Sequence, residues 1–374
     1  MQFADIPGLE KLKETLISSH LRNHIAHAQL FNGKPGGPAL PMALAYATFL
    51  LCEDKHKDDA CGKCASCQKM SKYIHPDLHF FFPQPGKDAS KKDDKKANSR
   101  VQDFRDFLID NPYASLDDWI HFSEAENKVN QISKEMARSI IRTVSMKSFE
   151  GGLKILILWC PETLHPSAAN AILKVLEEPP TQTIYLLVSY QFENLITTIL
   201  SRTQHILIPG FSVSQIMQLV NEKRQLDTTR ARSAAILSEG NVGQAFKIAL
   251  ESDNLAFKNF REWMQYCYRG DFADLVRLSE EFNKLGKSTQ RSTLSFALME
   301  IRSALMEKGN AELVLAEGDE KSFISNFSDT LSLHQIEKMY HEFSTTLRHL
   351  ERNANPRITH LALSLRLNRL LHQN

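Results

Sequence analysis

Two hydrophobic rhythms divide the 374 residues. Up to about residue 208, short unbroken apolar runs alternate with stretches of helical period; beyond it only the helical period remains. The runs fall at 29–32, 78–82, 154–159 (KILILW), 184–189 and 205–208. A continuous apolar run suits a strand covered on both faces, as in a parallel sheet. Between them, 41–51, 133–146, the stretch from Pro166 to Leu176 and 194–201 read as helices. Ser133 can cap one of these with Glu135 in its first turn, and Pro179–Pro180 stops another. The pattern predicts an α/β domain built on a mostly parallel five-stranded sheet. Residues 212–222, 227–238 and 242–250 then predict three short helices. From 253 to the end the chain reads as helix, with breaks near Gly270, Gly286, Gly309–Gly318 and Pro356. The stretch 357–371 is apolar around much of its circumference, as expected in a bundle or an oligomer contact.

The segment 84–100, QPGKDASKKDDKKANSR, is poor in apolar residues and rich in both charges, and predicts a mobile surface loop. Residues 101–130 carry Phe104, Phe107, Trp119 and Phe122, enough to pack locally, with no role evident.

Composition narrows the class. A hydrophobic content of 42% leaves material for two or three cores. The net charge of +1 argues against a nucleic-acid binder driven by phosphate neutralisation. A local basic excess after Leu331 reads as a solvated helix face. No apolar run reaches bilayer length, and MQFADIPGLEKLKETL lacks the apolar core of a signal peptide. A cytoplasmic protein with no membrane partner is expected.

Candidate chemistry lies in three places. The first is Ala28–Leu44, AQLFNGKPGGPALPMAL, a strand, a glycine turn and a helix in the outline of a phosphate-binding loop. A working loop reads G-x-x-x-x-G-K-[ST]. Counted from Gly33 through Gly36 and Gly37, Pro38 takes the second glycine position, Ala39 the lysine position and Leu40 the hydroxyl position. Lys34 follows the first glycine directly and does not fit the lysine geometry. The strand KILILW delivers Trp159, Cys160, Pro161 and Glu162 where a Mg²⁺-binding acid is needed, and only Glu162 is near that place. ATP hydrolysis and ATP as a cofactor are therefore not expected, although backbone amides alone can bind nucleotide weakly.

The second place is Cys52, Cys61, Cys64 and Cys67, spaced C-x8-C-x2-C-x2-C. That spacing favours a structural Zn²⁺, because four sulfurs close a tetrahedral shell and leave no position for an activated water. His56 and His75 are spare ligands that the filled shell does not need. The third is Arg202, in Ser201–Arg202–Thr203 after a short helix. A permanently charged guanidinium there can serve as an arginine finger, or simply as a surface ion pair.

Residues 173–204, LKVLEEPPTQTIYLLVSYQFENLITTILSRTQ, decide between these readings of Arg202. They resemble the block in bacterial DNA polymerase III clamp-loader subunits where a leucine-rich helix ends in LEEPP and the arginine stands in an SRC motif. The cysteine spacing, HAQLF (27–31), HPD (75–77) and EGGLKILIL (150–158) are similar to the same family, as is NANPRITHLALSLRL (353–367) more weakly. The resemblance implies an AAA+ domain over 1–208 with a zinc module at 52–67, a helical lid over 209–252 and an oligomerising helical collar over 253–374. The implied partners are the gamma/tau and delta subunits, the sliding clamp and, through the complex, primed DNA.

Two kinds of subunit share these motifs: ATP-hydrolysing motors with an intact loop, and a rigid stator with a degenerate loop that offers its arginine to a neighbour. The loop here matches the stator. So does GNVGQA (240–245), where Gly243 takes the position of the motors' arginine sensor. Thr203 replaces the cysteine of SRC, and the 84–130 stretch is longer than the family's usual spacing. The rival expectations are an active motor of the same family and a zinc-containing nucleic-acid-binding module.

Overall fold

The structure, a computed structural model, describes all residues except 86–93, 126–127, 225–230, 232–233, 236–237, 239, 251–252, 310–317 and 373–374. It divides into two compact units, residues 1–223 with 240–244, and residues 224–239 with 245–374.

In the first unit, α1 (Glu10–Leu21) precedes β1 (Ala28–Asn32), α2 (Ala39–Leu51) and α3 (Ala65–Ser71). Next come β2 (Leu78–Phe81), β3 (Gln84–Pro85), α4 (Asp94–Asp110), α5 (Leu116–Phe122), β4 (Asn130–Gln131) and α6 (Lys134–Ser145). The remainder is β5 (Lys154–Trp159), α7 (Pro166–Glu177), β6 (Thr183–Ser189), α8 (Thr197–Leu200), β7 (Gln204–Leu207) and α9 (Val213–Arg224). A further helix, α10 (Val242–Leu250), follows the incompletely described stretch after α9.

The five apolar runs form one sheet in the order β2-β5-β6-β1-β7, parallel at every pairing. The central strands are buried along their whole length because both faces are covered. Alternation sorts their side chains. Leu30, Leu156, Leu158, Tyr185 and Leu187 pack against Ala137, Ile140 and Val144 of α6 and Ala169, Ile172 and Leu176 of α7. Phe31, on the opposite face, meets Tyr46 of α2 at 6.4 Å between ring centroids. Every residue of α2 but the last is buried, which explains its lack of amphipathic periodicity.

Several boundaries differ from the expectation. The α2 helix starts at Ala39 rather than residue 41, because Pro38 occupies the N-cap and sets the first turn. The predicted helix over 194–201 is a 3₁₀ turn at Phe192–Asn194 followed by α8 alone, since Leu195 and Ile196 are extended. The last strand ends one residue early. Of the predicted mobile loop, 86–93 lies outside the described residues, but 94–100 opens α4, so a loop over all of 84–100 is not found. A small antiparallel pair, β3 with β4, joins the two ends of this insertion, a link that sequence reading did not anticipate. Most of the expected helix at 227–238 lies outside the described residues.

The insertion packs on the sheet through aromatic rings. Phe104 stacks on Phe82 at 3.9 Å, Trp119 stands edge-on to both, and Phe104 reaches Trp159 of β5 at 5.4 Å. The Trp119 indole N–H donates to the Pro83 carbonyl at 2.9 Å, so the ring's one polar atom is satisfied in the core. Residues 101–125 are thus an integral layer of the first unit.

The second unit contains α11 (Asp253–Arg269), α12 (Phe272–Lys284), α13 (Lys287–Gly309), α14 (Gly318–Thr330), α15 (Leu333–Glu351) and α16 (Pro356–Leu371). In α16 one face is buried at His360, Leu363, Ser364, Leu367 and Leu370, while Ile358 stays exposed. The basic excess is partly neutralised: Arg366 pairs with Glu342 and Arg357 with Glu280. These are the exposed pairs of a solvated face.

His360 lies between Trp263 (4.4 Å) and Phe282 (4.5 Å) and shares a 2.9 Å hydrogen bond with Ser279. Burial pushes its imidazole down to about 4. The unfolded state therefore binds more protons than the folded state between pH 6.5 and 4, and stability is lost as pH falls through that window. At about 1.4 kcal/mol per pH unit, His360 accounts for about 3 kcal/mol of acid destabilisation. Urea midpoints of the wild type and a His360→Gln variant, compared from pH 7 to 4, should converge toward acid pH. A difference independent of pH would refute the assignment.

Candidate functional site

In open parallel sheets ligands bind beyond the carboxyl ends of the strands. In this protein that end carries the glycine turn after β1, Cys160 after β5 and Tyr190 after β6.

The glycine turn has the shape of a phosphate loop with its polar contacts turned inward. The Gly33 amide donates to the Ser189 carbonyl at 3.1 Å, and the Gly37 amide to the Lys34 carbonyl at 3.1 Å. Gly36 has a left-handed φ of +70°, and its carbonyl accepts the Val242 amide at 2.8 Å. The Asn241 side chain fills the space beside Gly36, so that a Cβ there would lie 1.8 Å from its Oδ1. Asn241 also caps α10 by accepting the Gln244 amide at 2.9 Å. Pro38, Ala39 and Leu40 are buried against the sheet, whereas Lys34 is exposed.

Beyond β5, Cys160 is fully buried with a left-handed φ of +53°, and Pro161 redirects the chain. Glu162 then accepts the Ser189 hydroxyl at 2.8 Å and the Tyr190 amide at 3.1 Å. Burial pushes its carboxyl above the usual range, and these hydrogen bonds oppose that shift. Trp159 donates to the Tyr190 hydroxyl at 3.0 Å, which in turn donates to the Ala114 carbonyl at 3.3 Å. Gly243 fits against the Tyr113 carbonyl, 3.1 Å from where a Cβ would stand. The glycine turn, residues 241–243, the 113–114 turn and the ends of β5 and β6 thus form one connected ring of contacts. The sequence reading singled out Gly243 and Glu162 but missed Asn241, Tyr113 and Tyr190. An asparagine directly before a helix was the available signal for Asn241.

Arg202 follows α8 on the same unit. Its Nε and Nη2 both meet Glu177 Oε1, the former at 2.6 Å. Its Nη1 donates to the Thr198 carbonyl at 2.9 Å and the Ser201 hydroxyl at 3.2 Å. Thr203 turns its hydroxyl onto the carbonyls of Ile199 and Leu200.

The four cysteines converge, with all sulfurs within 4.8 Å of one another. Cys52 to Cys64 and Cys61 to Cys67 are each 3.9 Å apart. A tetrahedral ion with ~2.3 Å bonds to sulfur requires ~3.8 Å between sulfurs, so the residues fit a metal. Cys52 closes α2 and Cys64 caps α3, which places two ligands on helix ends. Backbone amides of Cys61, Cys64 and Cys67 donate to the sulfurs of Cys52, Cys61 and Cys64, contacts that favour thiolates, while burial pushes the Cys52 and Cys67 thiols up. The loop is fastened to the chain start, where the Asp59 carboxylate accepts the amides of Phe3 and Ala4.

Neither spare histidine joins the cluster. His75 instead pairs with Glu150 at 3.0 Å, and burial pushes its imidazole down against the pull of that carboxylate. Asp77 accepts the amides of Phe149 and Glu150 at 2.6 and 2.9 Å. HPD and EGG, distant in sequence, form one joint at the start of β2 and β5.

A family model described as DNA polymerase III, delta subunit, matches residues 8–212, over half of the chain. The chain belongs to this family. Its relatives include the delta-prime subunit of Yersinia pestis, 26% identical over 239 residues that cover 63% of this chain and 58% of that one. The delta-prime subunit of Escherichia coli (strain K12) is 25% identical over 249 residues, covering 66% and 61%. The tau subunit of Bacillus subtilis (strain 168) is 24% identical over 260 residues, covering 68% and 38%. The matches thus span about three fifths of the length of these two delta-prime relatives. Within the family the chain is of the delta-prime type. Among the described residues no helix is long and apolar enough to cross a membrane.

The close fit around the glycine turn has a measurable consequence. A Gly36→Ala variant forces a side chain into the left-handed region, at about 1–2 kcal/mol. It also displaces the Asn241 cap, worth about 1 kcal/mol. Thermal or urea unfolding should show a loss of about 2–3 kcal/mol. Gly152→Ala, with open space around it, should be near neutral. Equal stability of both variants would contradict the packed turn.

Proposed function

We propose that this chain is the stator of a DNA polymerase III clamp loader, a subunit that hydrolyses no ATP and presents Arg202 to the nucleotide of a neighbouring motor subunit. The observation that carries the reading is the first turn of α2. Ala39 and Leu40, both without exposed surface, stand where a lysine and a hydroxyl must reach phosphate and Mg²⁺. The loop is degenerate in chemistry while the strand, turn and helix around it are kept. Glu162, the acid that follows β5, is committed to Ser189 and Tyr190. Gly243 leaves no cation at the sensor position. The match to a tau subunit favours an active motor as the second reading, but that reading needs a phosphate lysine, and Lys34 points from the wrong residue of the turn.

In this reading residues 1–208 form an AAA+ domain, 209–252 a lid and 253–374 a collar that joins it to gamma/tau and delta subunits in the cytoplasm. Its task is to help place the sliding clamp on primed DNA. The motors supply hydrolysis; this chain supplies a fixed surface and a positive charge. The cysteine cluster would hold one structural Zn²⁺, which cross-links the 52–67 loop and supplies no reactive water. Purified protein should carry about one equivalent of zinc by elemental analysis. Folded, metal-free protein would refute this.

The arginine is tested in the reconstituted complex. Arg202→Ala should lower DNA-stimulated ATPase while leaving assembly intact by gel filtration. An arginine finger contributes about 10³–10⁵ at the site that it serves, so turnover at one interface should be nearly abolished. Unchanged ATPase and clamp loading would return Arg202 to a purely structural role.

A further inference from the structure

The guanidinium of Arg202 is already engaged within its own subunit. A guanidinium has five N–H donors. Contacts to Glu177 involve Nε and Nη2, and Nη1 serves both Thr198 and Ser201. That accounts for four donors, and the one remaining, on Nη2, cannot make the paired contact by which an arginine grips a phosphoryl group. The Glu177 carboxylate also cancels the positive charge that a transferring phosphoryl group would use. Glu177 is the last residue of α7, where a carboxylate is disfavoured by the helix dipole and gains from a cation beside it.

We propose that Glu177 is a resting latch for Arg202: it holds and neutralises the guanidinium until a neighbour's nucleotide phosphate displaces it. This rests on the reading of Arg202 as an arginine supplied in trans. Glu177 is a positioning residue that touches no nucleotide and acts only through Arg202. The two side chains are 44% and 31% exposed, so the contact is weak enough to exchange. An exposed pair of this kind biases an equilibrium by about fivefold at most. A triphosphate carries more charge than one carboxylate and wins the competition once it faces the arginine. The two glutamates of LEEPP and the arginine of the SRT motif are 25 residues or fewer apart in sequence, and the fold joins the first of them to Arg202.

The test uses the full complex reconstituted with its cognate motor and delta subunits, the sliding clamp and primed DNA, with ATP as the probe. Glu177→Gln keeps the shape and removes the charge. It should raise ATPase in the absence of clamp and DNA by about two- to fivefold. The gain should shrink as salt rises, because screening weakens the same ion pair in the wild type. The double variant, Glu177→Gln with Arg202→Ala, should behave as Arg202→Ala alone.

Three results would overturn the latch while sparing the trans-arginine reading. They are a Glu177→Gln complex no faster than wild type although Arg202→Ala is impaired, a gain indifferent to salt, and a gain that survives in the double variant. If Arg202→Ala itself has no effect, the trans-arginine reading fails and the latch falls with it. Matched thermal unfolding of the single variants separates either outcome from a folding defect.

Discussion

Closure of backbone and side-chain hydrogen bonds at the carboxyl end of the parallel sheet is the constraint on which the first unit depends. Parallel strands leave that end as a crevice, and in a nucleotide-binding protein a phosphate satisfies its amides. Here the amides of Gly33 and Gly37 donate to carbonyls of the chain itself, those of Ser189 and Lys34. Gly33 bonds to Ser189, Gly36 receives Val242, and Glu162 ties β5 to β6 through Ser189 and Tyr190. Buried polar groups without partners are costly, so a loop that loses its ligand must find substitutes or open to water. The inward-turned contacts are those substitutes, and they make the crevice a joint between segments.

The insertion reinforces the same end. Its aromatic layer, Phe104 and Trp119 against Phe82 and Trp159, lies beside the 113–114 turn that meets both Tyr190 and Gly243. Large rings supply much burial for few residues, which lets a charged, poorly apolar stretch be anchored at one end. The cysteine loop that follows α2 has few apolar side chains and is fastened to the chain start through Asp59. The glycine turn, the aromatic layer and the cysteine loop are thus each closed by contacts within the chain.

The sequence made the sheet legible because each strand is an unbroken apolar run, and fully covered strands leave no other explanation for KILILW or IYLLVS. Strand order was not legible: nothing in a run says which neighbour it takes. The cysteine site could be read from spacing alone, since its ligands are local. The contacts around Gly36 and Gly243 could not, because Asn241 is 205 residues from Gly36 and its role depends on residues 240–244 returning to the turn. The same holds for the HPD motif, whose Asp77 is committed to amides 72 and 73 residues away. Charge-rich composition misled the reading of 94–100, where a helix opens at Asp94 despite few apolar residues. The C-terminal half of α4 is held in the core by Phe104, Phe107 and Leu108, and tertiary packing of that half carries the helix.

On the proposed stator reading, the charge that matters is that of Arg202 and not a cation in the glycine turn. The loop at Gly33–Leu40 spends no cation, and Lys34 is left in solvent. Arg202 is instead placed by two helix ends, α7 through Glu177 and α8 through Thr198, and both helices pack on the same sheet face. Its position is thus inherited from the core through rigid elements. Glu177 and Thr198 hold the guanidinium in its resting position at Nε, Nη1 and Nη2. The closed turn and the held arginine share one cause: in this unit the sheet and the helices packed on it set where both stand.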